Sequence, residues 1–578
     1  MKTINNCIHF GLKMILYFTM VLIIAVFIWS RVDMVPTHFT HYDDLYAPYL
    51  FTVIDQYDPL FFSSQLEKYG GLFGGILSSF VFDFFTEYPA LFSFLKRILA
   101  PLAIAKTSTF APLQFYLTSL TIDYDTSYTI SKITFRLPSA IFSLLTIFVL
   151  YRYSRKINNS ESIYILLIGS LIFSVSWMFL IYSSQGENFA AAVFSLMTLI
   201  YIFEHYKNSE APIGTSLKVG VFVSFLCLLH YQTMFFLPGF FIALFYESSY
   251  SIRIFSKKWI PSILVAATTV LGIYFIFLKG RLTYNPGIHW NAGESGQYAF
   301  NPDCGDGFFG CAFRVFIENL FEVMQSIVSF SNIDETTSLI YTTVILALTV
   351  LGFIYIISNK RHRGLFIFLL VGVIVWMALV LMNKLTFSPT RHSLILLSPI
   401  ALLSSYGFYL IFRNFTKILT SYFSVVLFCI IVLSLFVIAF DEQKEKRGDP
   451  LEKVKIENIL QKYNPSVIIA YSNSAHLEFY PIVKNNYWSK YMNNYPYSTI
   501  YKKRVNNENK SRILIFCVNG ELCNNSDSEV VSAILMKYFG KNKAYENIYK
   551  YEVNSTVLNG FGSKAGSGPN SLFLSIWE

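Results

Sequence analysis

Charge is what this sequence has least of. Aspartate, glutamate, lysine and arginine make up 14% of its 578 residues, against about 25% in soluble globular proteins. That scarcity excludes an ordinary soluble protein, and the balance is made up by 54% hydrophobic residues, 18% of all residues being aromatic. A second absence lies inside the long apolar runs, which carry almost no ionisable side chain. An ion-coupled transporter places Asp, Glu, Lys or Arg near the bilayer midplane, so the pattern argues against secondary transport. A third absence is a small-residue cleavage site after the first run. That run follows Met1 and Lys2, continues from Lys13 to Ser30, and is longer than a signal-peptide core, so it reads as an uncleaved anchor. The formal charge of +9 sits in short clusters between apolar runs, where membrane topology accounts for it, and nucleic-acid binding is excluded.

The apolar runs fall near residues 12–30, 137–151, 163–181, 188–204, 217–230, 231–247, 259–279, 338–358, 365–382, 392–411 and 418–440. A spanning helix needs about 20 apolar residues, so the expectation is about eleven crossings. With the N-terminus cytoplasmic, the inner loops should be basic. They carry Arg152, Arg155 and Lys156; Arg253, Lys257 and Lys258; Lys360, Arg361 and Arg363; Arg413 and Lys417. The other side receives the loops 31–136 and 280–337, a short loop from Asn383 to Arg391, and the tail 441–578. The stretches Gly71 to Phe85 and Ala90 to Ala105 read equally well as interfacial helices.

After Phe440 the composition changes at the charged run Asp441 to Arg447. Pro465 to Tyr471 and Arg512 to Val518 read as strands and Ser526 to Tyr538 as an amphipathic helix, predicting a small α/β soluble domain. The chain therefore divides into an all-α polytopic membrane domain, 1–440, and a soluble extracytoplasmic domain, 441–578. Of the seven cysteines, Cys7, Cys227 and Cys429 lie in or beside membrane helices, whereas Cys304 with Cys311 and Cys517 with Cys523 are close pairs outside. Pairing there suggests disulfides, each closing a short loop and worth roughly 2 to 3 kcal/mol in the chain-entropy account; free buried thiols are the alternative.

Polar constellations crowd the outer helix ends, which favours an enzyme working at the membrane surface. The string HFTHYDDLYAPYLF after the first helix holds His38, His41, Tyr42, Asp43, Asp44, Tyr46 and Tyr49. Adjacent carboxylates cannot share one helix face, so one can accept a proton while the other orients a partner. A solvated helix N-terminus, where acids cap favourably, is the competing reading. His38 and His41 lack the further ligands of a zinc site, and no metal site is assigned.

The Asp-Asp after helix 1, FAPLQFYLTSL at 110–120, FRLPSAIFSLLTIFVLYRYSRKI at 135–157, IYSSQGENFAAAVF at 181–194, LHYQTMFFLPG at 229–239 and SPTRHSLILLSP at 388–399 together resemble glycosyltransferase family 39. Its members include the dolichyl-phosphate-mannose protein mannosyltransferases and the bacterial transferases that put aminoarabinose on lipid A. The likeness covers roughly residues 10–440. It implies the C-type membrane glycosyltransferase fold and inverting transfer of a sugar from a polyprenyl-phosphate donor to an acceptor hydroxyl on the outer face, a transferase of the cell envelope with lipopolysaccharide among its possible acceptors. One carboxylate then activates the acceptor and cations stabilise the departing lipid phosphate.

By that resemblance Asp43 is the general base, supported by Asp44 where Glu is usual. Arg391 matches the Arg of the family's RY motif and is the first choice for donor phosphate, with Lys106 and Arg281 as further cations. Tyr182, Glu187, His230, Tyr231 and His392 are expected to line the cleft. Arg136, which opens RLPSA, reads as an interfacial arginine snorkelling at a helix end. Two departures each remove a cation: Phe110 and Ala111 stand where the family has Lys-Pro or His-Pro, and Glu187 where it has Arg. The first outer loop reads as an interfacial hairpin packing on the core or a cover over the cleft. No cofactor is required, although a divalent cation would be compatible. The expected partners are membrane lipids, the lipid-linked donor and a glycolipid, lipid A, polysaccharide or protein acceptor, at a bacterial inner (plasma) membrane. The competing functions are a lipid-linked-sugar flippase and a non-catalytic family member.

Overall fold

The computed structural model describes residues 18–29, 113, 117, 128–157, 159–184, 189–208, 212–278, 320–328, 335–382, 385, 391–415, 453–471, 487–492, 498–503, 512–518, 547–558 and 569–577. Ten of the expected apolar runs fall on described helix; the run 418–440 lies outside the described residues. The helices are α1 (Phe18–Trp29), α2 (Tyr128–Ser154), α3 (Asn159–Val175), α4 (Trp177–Ser184), α5 (Phe189–Tyr206), α6 (Ile213–Leu229), α7 (Leu237–Glu247), α8 (Ile252–Ile273), α9 (320–328), α10 (Glu335–Ser358), α11 (Arg363–Leu381) and α12 (Leu397–Phe415). Six helices are long and apolar enough to cross a membrane, beginning at Arg136, Phe189, Ile252, Ser338, Lys360 and His392, while Phe18–Trp29, Glu161–Val175 and Ile213–Leu229 are shorter apolar helices. The structure thus gives six full-length spans among the described residues where the sequence pattern predicts about eleven.

The lateral surface is apolar, the reverse of a soluble protein. Ile254, Ile260, Leu264, Leu271 and Phe275 of the α8 region, Val221, Phe222 and Phe225 of α6, and Leu339, Ile340, Val344, Val350 and Ile354 of α10 are all exposed. Exposed apolar surface this extensive requires an apolar environment, and with the helix lengths it marks a membrane protein. Helices α5 and α12 form the centre, 78% of each spanning window being buried, whereas only 22% of α8 is.

Small residues let the helices approach. At the α10–α12 crossing, Thr349 Oγ1 and Ser404 Oγ hydrogen-bond at 2.9 Å. A β-carbon placed on Gly352 would overlap the Leu403 carbonyl, and one on Gly407 would overlap the Leu348 carbonyl. Between α6 and α8, Ser216 Oγ lies 3.0 Å from Ser262 Oγ, and a Gly220 β-carbon would come within 2.9 Å of the Ser262 Cα. Without water to drive them together, membrane helices associate through such close backbone approach and interhelical hydrogen bonds.

The basic end of the bundle is stitched by polar groups. Glu161, at the start of α3, accepts a 2.6 Å bond from Tyr355 Oη and lies 3.2 Å from His362 Nε2. Tyr153 and Tyr406 share a 2.8 Å hydroxyl bond. Lys207 pairs with Glu204 at 2.9 Å and also donates to the Arg361 carbonyl at 3.1 Å, while Arg361 reaches the Lys156 carbonyl at 3.4 Å. The loops 152–156 and 360–363 are therefore gathered at one end, as their common basic charge predicts. Arg136 is 1% exposed. It is buried in the helix packing and does not snorkel: the fold covers the outer part of α2 with its neighbours, so the guanidinium faces protein.

Beyond the helices, α13 (Lys453–Tyr463) stops at Asn464, whose φ of 44° is left-handed, a helix-ending conformation that Asn tolerates, and Pro465 follows. A six-stranded sheet succeeds it: β1 (Val467–Tyr471), β2 (Tyr487–Met492), β3 (Ser498–Lys503), β4 (Ile513–Val518), β5 (Asn547–Leu558) and β6 (Pro569–Trp577), in the order β2-β3-β1-β4-β6-β5. Only β1 and β4 pair in parallel, with Val467 opposite Ile513. Their consecutive residues Ile468, Ile469, Ile513, Leu514 and Ile515 are buried, as in parallel strands covered on both faces. Two of these strands stand where the sequence placed them; the helix expected at Ser526 to Tyr538 and the boundary at 440 lie outside the described residues.

Candidate functional site

Two of the apolar runs, 231–247 and 392–411, are broken ahead of a proline, whereas Pro138 in α2 and Pro261 in α8 are carried inside continuous helices. In the run 231–247, Pro238 removes a backbone donor and its ring crowds the carbonyl four residues back. The chain answers with a break. His230 is extended (φ −153°, ψ 121°), Tyr231–Phe236 is a 3₁₀ segment, and α7 starts at Leu237 with Pro238 in its first turn, the place a helix accepts proline. The same device recurs at Arg391–Leu396, a second 3₁₀ segment before α12 and Pro399. Irregular backbone at membrane depth persists only where protein buries it or where it lines a polar cavity.

The fold brings these two breaks together at the end away from the basic loops. Gln232 Nε2 donates to the His392 carbonyl at 2.9 Å, and Ser398 Oγ donates to the Val193 carbonyl at 2.8 Å, fixing α12 on α5. Phe189, the first residue of α5, stands between the two histidines: its ring centroid is 5.6 Å from that of His230 and 5.4 Å from that of His392. Tyr182 meets Phe189 edge-on at 5.3 Å. Behind the first break a Gly372 β-carbon would strike the Phe236 ring, and a Gly239 β-carbon would lie 2.9 Å from the Gly372 nitrogen, so α7 and α11 clamp the segment closely.

Of the residues singled out from the sequence, Tyr182, His230 and His392 are thus gathered around Phe189. Tyr231 is buried at the start of the first break, and Arg391 begins the second. Asp43, Asp44, Lys106, Arg281, Glu187, Cys304, Cys311 and Cys523 lie outside the described residues; Cys517 sits in β4 opposite Phe573 of β6 and Tyr471 of β1. The sequence reading passed over Gln232, Thr233 and Phe189 themselves. A proline seven or eight residues after the start of an outer-end segment, in YQTMFFLP and RHSLILLSP alike, is the signal that could have found the first two.

The site is buried: His230, just beyond the end of α6, is 5% exposed. Among the described residues no group of three or more His, Cys, Asp or Glu could hold a metal ion.

No family model matches the chain, and no curated protein matches it in sequence. A solved structure similar to it is the Archaeoglobus fulgidus oligosaccharyltransferase in complex with Zn and sulfate, at 13% identity and a TM-score of 0.36, over 62% of this chain and 47% of that one. The chain therefore matches less than half of that protein's length.

Proposed function

We propose that this protein is a membrane glycosyltransferase that moves a sugar from a polyprenyl-phosphate donor to an acceptor hydroxyl at the face opposite its basic loops. The observation that carries the reading is the meeting of two broken helices there, with Tyr182, Phe189, His230 and His392 packed together and Arg391 opening the second break. In this reading Asp43 takes the proton from the acceptor hydroxyl while Asp44 supports it. The acceptor oxygen attacks the anomeric carbon, the bond from that carbon to the phosphate oxygen breaks with inversion, and its electron pair leaves on the lipid phosphate. Arg391, Lys106 and Arg281 stabilise the charge gathering there. The acceptor is a glycolipid, lipid A, a polysaccharide or a protein, and the membrane is a bacterial inner membrane with the N-terminus cytoplasmic and the 441–578 domain outside.

A lipid-linked-sugar flippase is the competing reading. The buried charged groups bear against it, because Glu161 and Glu204 sit near helix ends and Arg136 at the start of its membrane-length stretch, so no buried charged side chain lies in the middle of a described span.

The test uses purified protein in lipid with a panel of radiolabelled polyprenyl-phosphate sugars and lipid acceptors, comparing wild type with Asp43→Asn at equal folded yield. Product from wild type alone supports the assignment and names the donor. Equal product from both sinks Asp43 as the base.

A further inference from the structure

The first break carries hydrogen-bonding capacity that the protein itself does not use. His230 Nδ1, Gln232 Oε1 and Thr233 Oγ1 are buried and have no hydrogen-bond partner among the described residues; their residues are 5%, 5% and 0% exposed. Buried polar atoms left unpaired carry the whole cost of desolvation, so native proteins pair nearly all of them. No other stretch of four described residues holds three such side chains. The arrangement is built: the 2.9 Å bond from Gln232 Nε2 to the His392 carbonyl fixes the amide, and Thr233 is held by its backbone bond to the His230 carbonyl at 3.1 Å.

The chemistry of the atoms says what they would take. An amide oxygen only accepts, so the partner of Gln232 Oε1 must donate, which an ionised phosphate oxygen does not. Thr233 Oγ1 both donates and accepts, and His230 Nδ1 donates or accepts according to its tautomer. These are partners for hydroxyl groups.

Resting on the transferase reading, we infer that Gln232 and Thr233 form the specificity patch for the transferred group: they hydrogen-bond the hydroxyls of a neutral sugar ring, apart from the cations that hold its phosphate. A donor hydroxyl read by this patch contributes about tenfold in affinity, the worth of one ordinary hydrogen bond.

The experiment measures equilibrium binding of tritiated polyprenyl-phosphate hexose, and of its 2-, 3-, 4- and 6-deoxy analogues, to the full chain in lipid nanodiscs without acceptor. Thr233→Val keeps the side-chain shape and removes the hydroxyl; Gln232→Leu is the second variant, and thermal midpoints confirm that both are folded. The expected result is that wild type binds one deoxy donor about tenfold more weakly than its parent, and that a variant loses the same factor with the parent but nothing further with that deoxy donor. Losses that simply add, equal binding of every donor by wild type and variants, or failure of wild type to bind any of them overturns the inference and leaves ordered water as the partner of these atoms. Binding that shows the expected cycle without any transfer once acceptors are added refutes the transferase reading while the sugar patch stands.

Discussion

Gly352→Ala adds one methyl group at the α10–α12 crossing, and the surroundings of that methyl set its effect. It would overlap the Leu403 carbonyl and lie 3.0 Å from the Gly407 nitrogen. Both neighbours are backbone, so no side chain can rotate away and the two helices must separate. Separation strains the Thr349–Ser404 bond of 2.9 Å, worth about 0.6–1 kcal/mol between membrane helices, and overpacking of a tight core costs about 1–3 kcal/mol. Against this, alanine is about 1 kcal/mol better than glycine inside a helix. The net is a destabilisation of about 2 kcal/mol, or roughly 4–8 °C in thermal midpoint on the scale of mid-sized domains.

The assay is thermal unfolding of purified protein in one detergent at one scan rate, with Gly272→Ala as control because no atom lies within 4 Å of its added β-carbon. Gly272→Ala should leave the midpoint level or raised. Gly407→Ala should behave like Gly352→Ala, since its methyl meets the Leu348 carbonyl, and the double variant should lose less than the sum because the first separation accommodates the second methyl. A Gly352→Ala midpoint equal to that of Gly272→Ala would refute the close crossing.

Further tests address other parts of the molecule. Glu161→Leu should cost about 1–3 kcal/mol for each group left without its buried acceptor, Tyr355 and His362, while Glu161→Gln, which keeps a hydrogen-bonding head, should cost visibly less; equal midpoints for the two would remove the network from the account. Proteolysis without reductant should yield peptides joined through Cys304–Cys311 and Cys517–Cys523, and free thiols at all four would remove the proposed disulfides.

What the sequence showed plainly was what periodicity and charge encode. The apolar runs marked the helices, and the basic residues of 152–156 and 360–363 foretold that these loops share one end, where Arg361 does reach the Lys156 carbonyl. The stretches read as strands, Pro465 to Tyr471 and Arg512 to Val518, hold β1 and β4. Tertiary placement was not legible. Arg136 read as an interfacial arginine because a helix end is where arginine usually reaches water, and only the neighbours of α2 decide that this one is buried. Gln232 and Thr233 were passed over inside the apolar run 231–247, since nothing local says that a second broken helix sits across from them. The reciprocal pair Thr349/Gly352 and Ser404/Gly407 was readable as small residues three apart, but which helices they join was not.

The strand order has a consequence for assembly. Strand β6 is last of the six in the chain yet lies between β4 and β5, pairing Ile513 with Trp577 on one side and Leu558 with Pro569 on the other. Until residues 569–577 emerge, β4 offers an unpaired edge and β5 has nothing to lie against, and such edges invite pairing with other chains. The four-stranded part β2-β3-β1-β4 can form earlier, so completion of the sheet waits on delivery of one short segment. A chain clipped before Pro569 would therefore leave the β4 edge unpaired and the sheet half-finished.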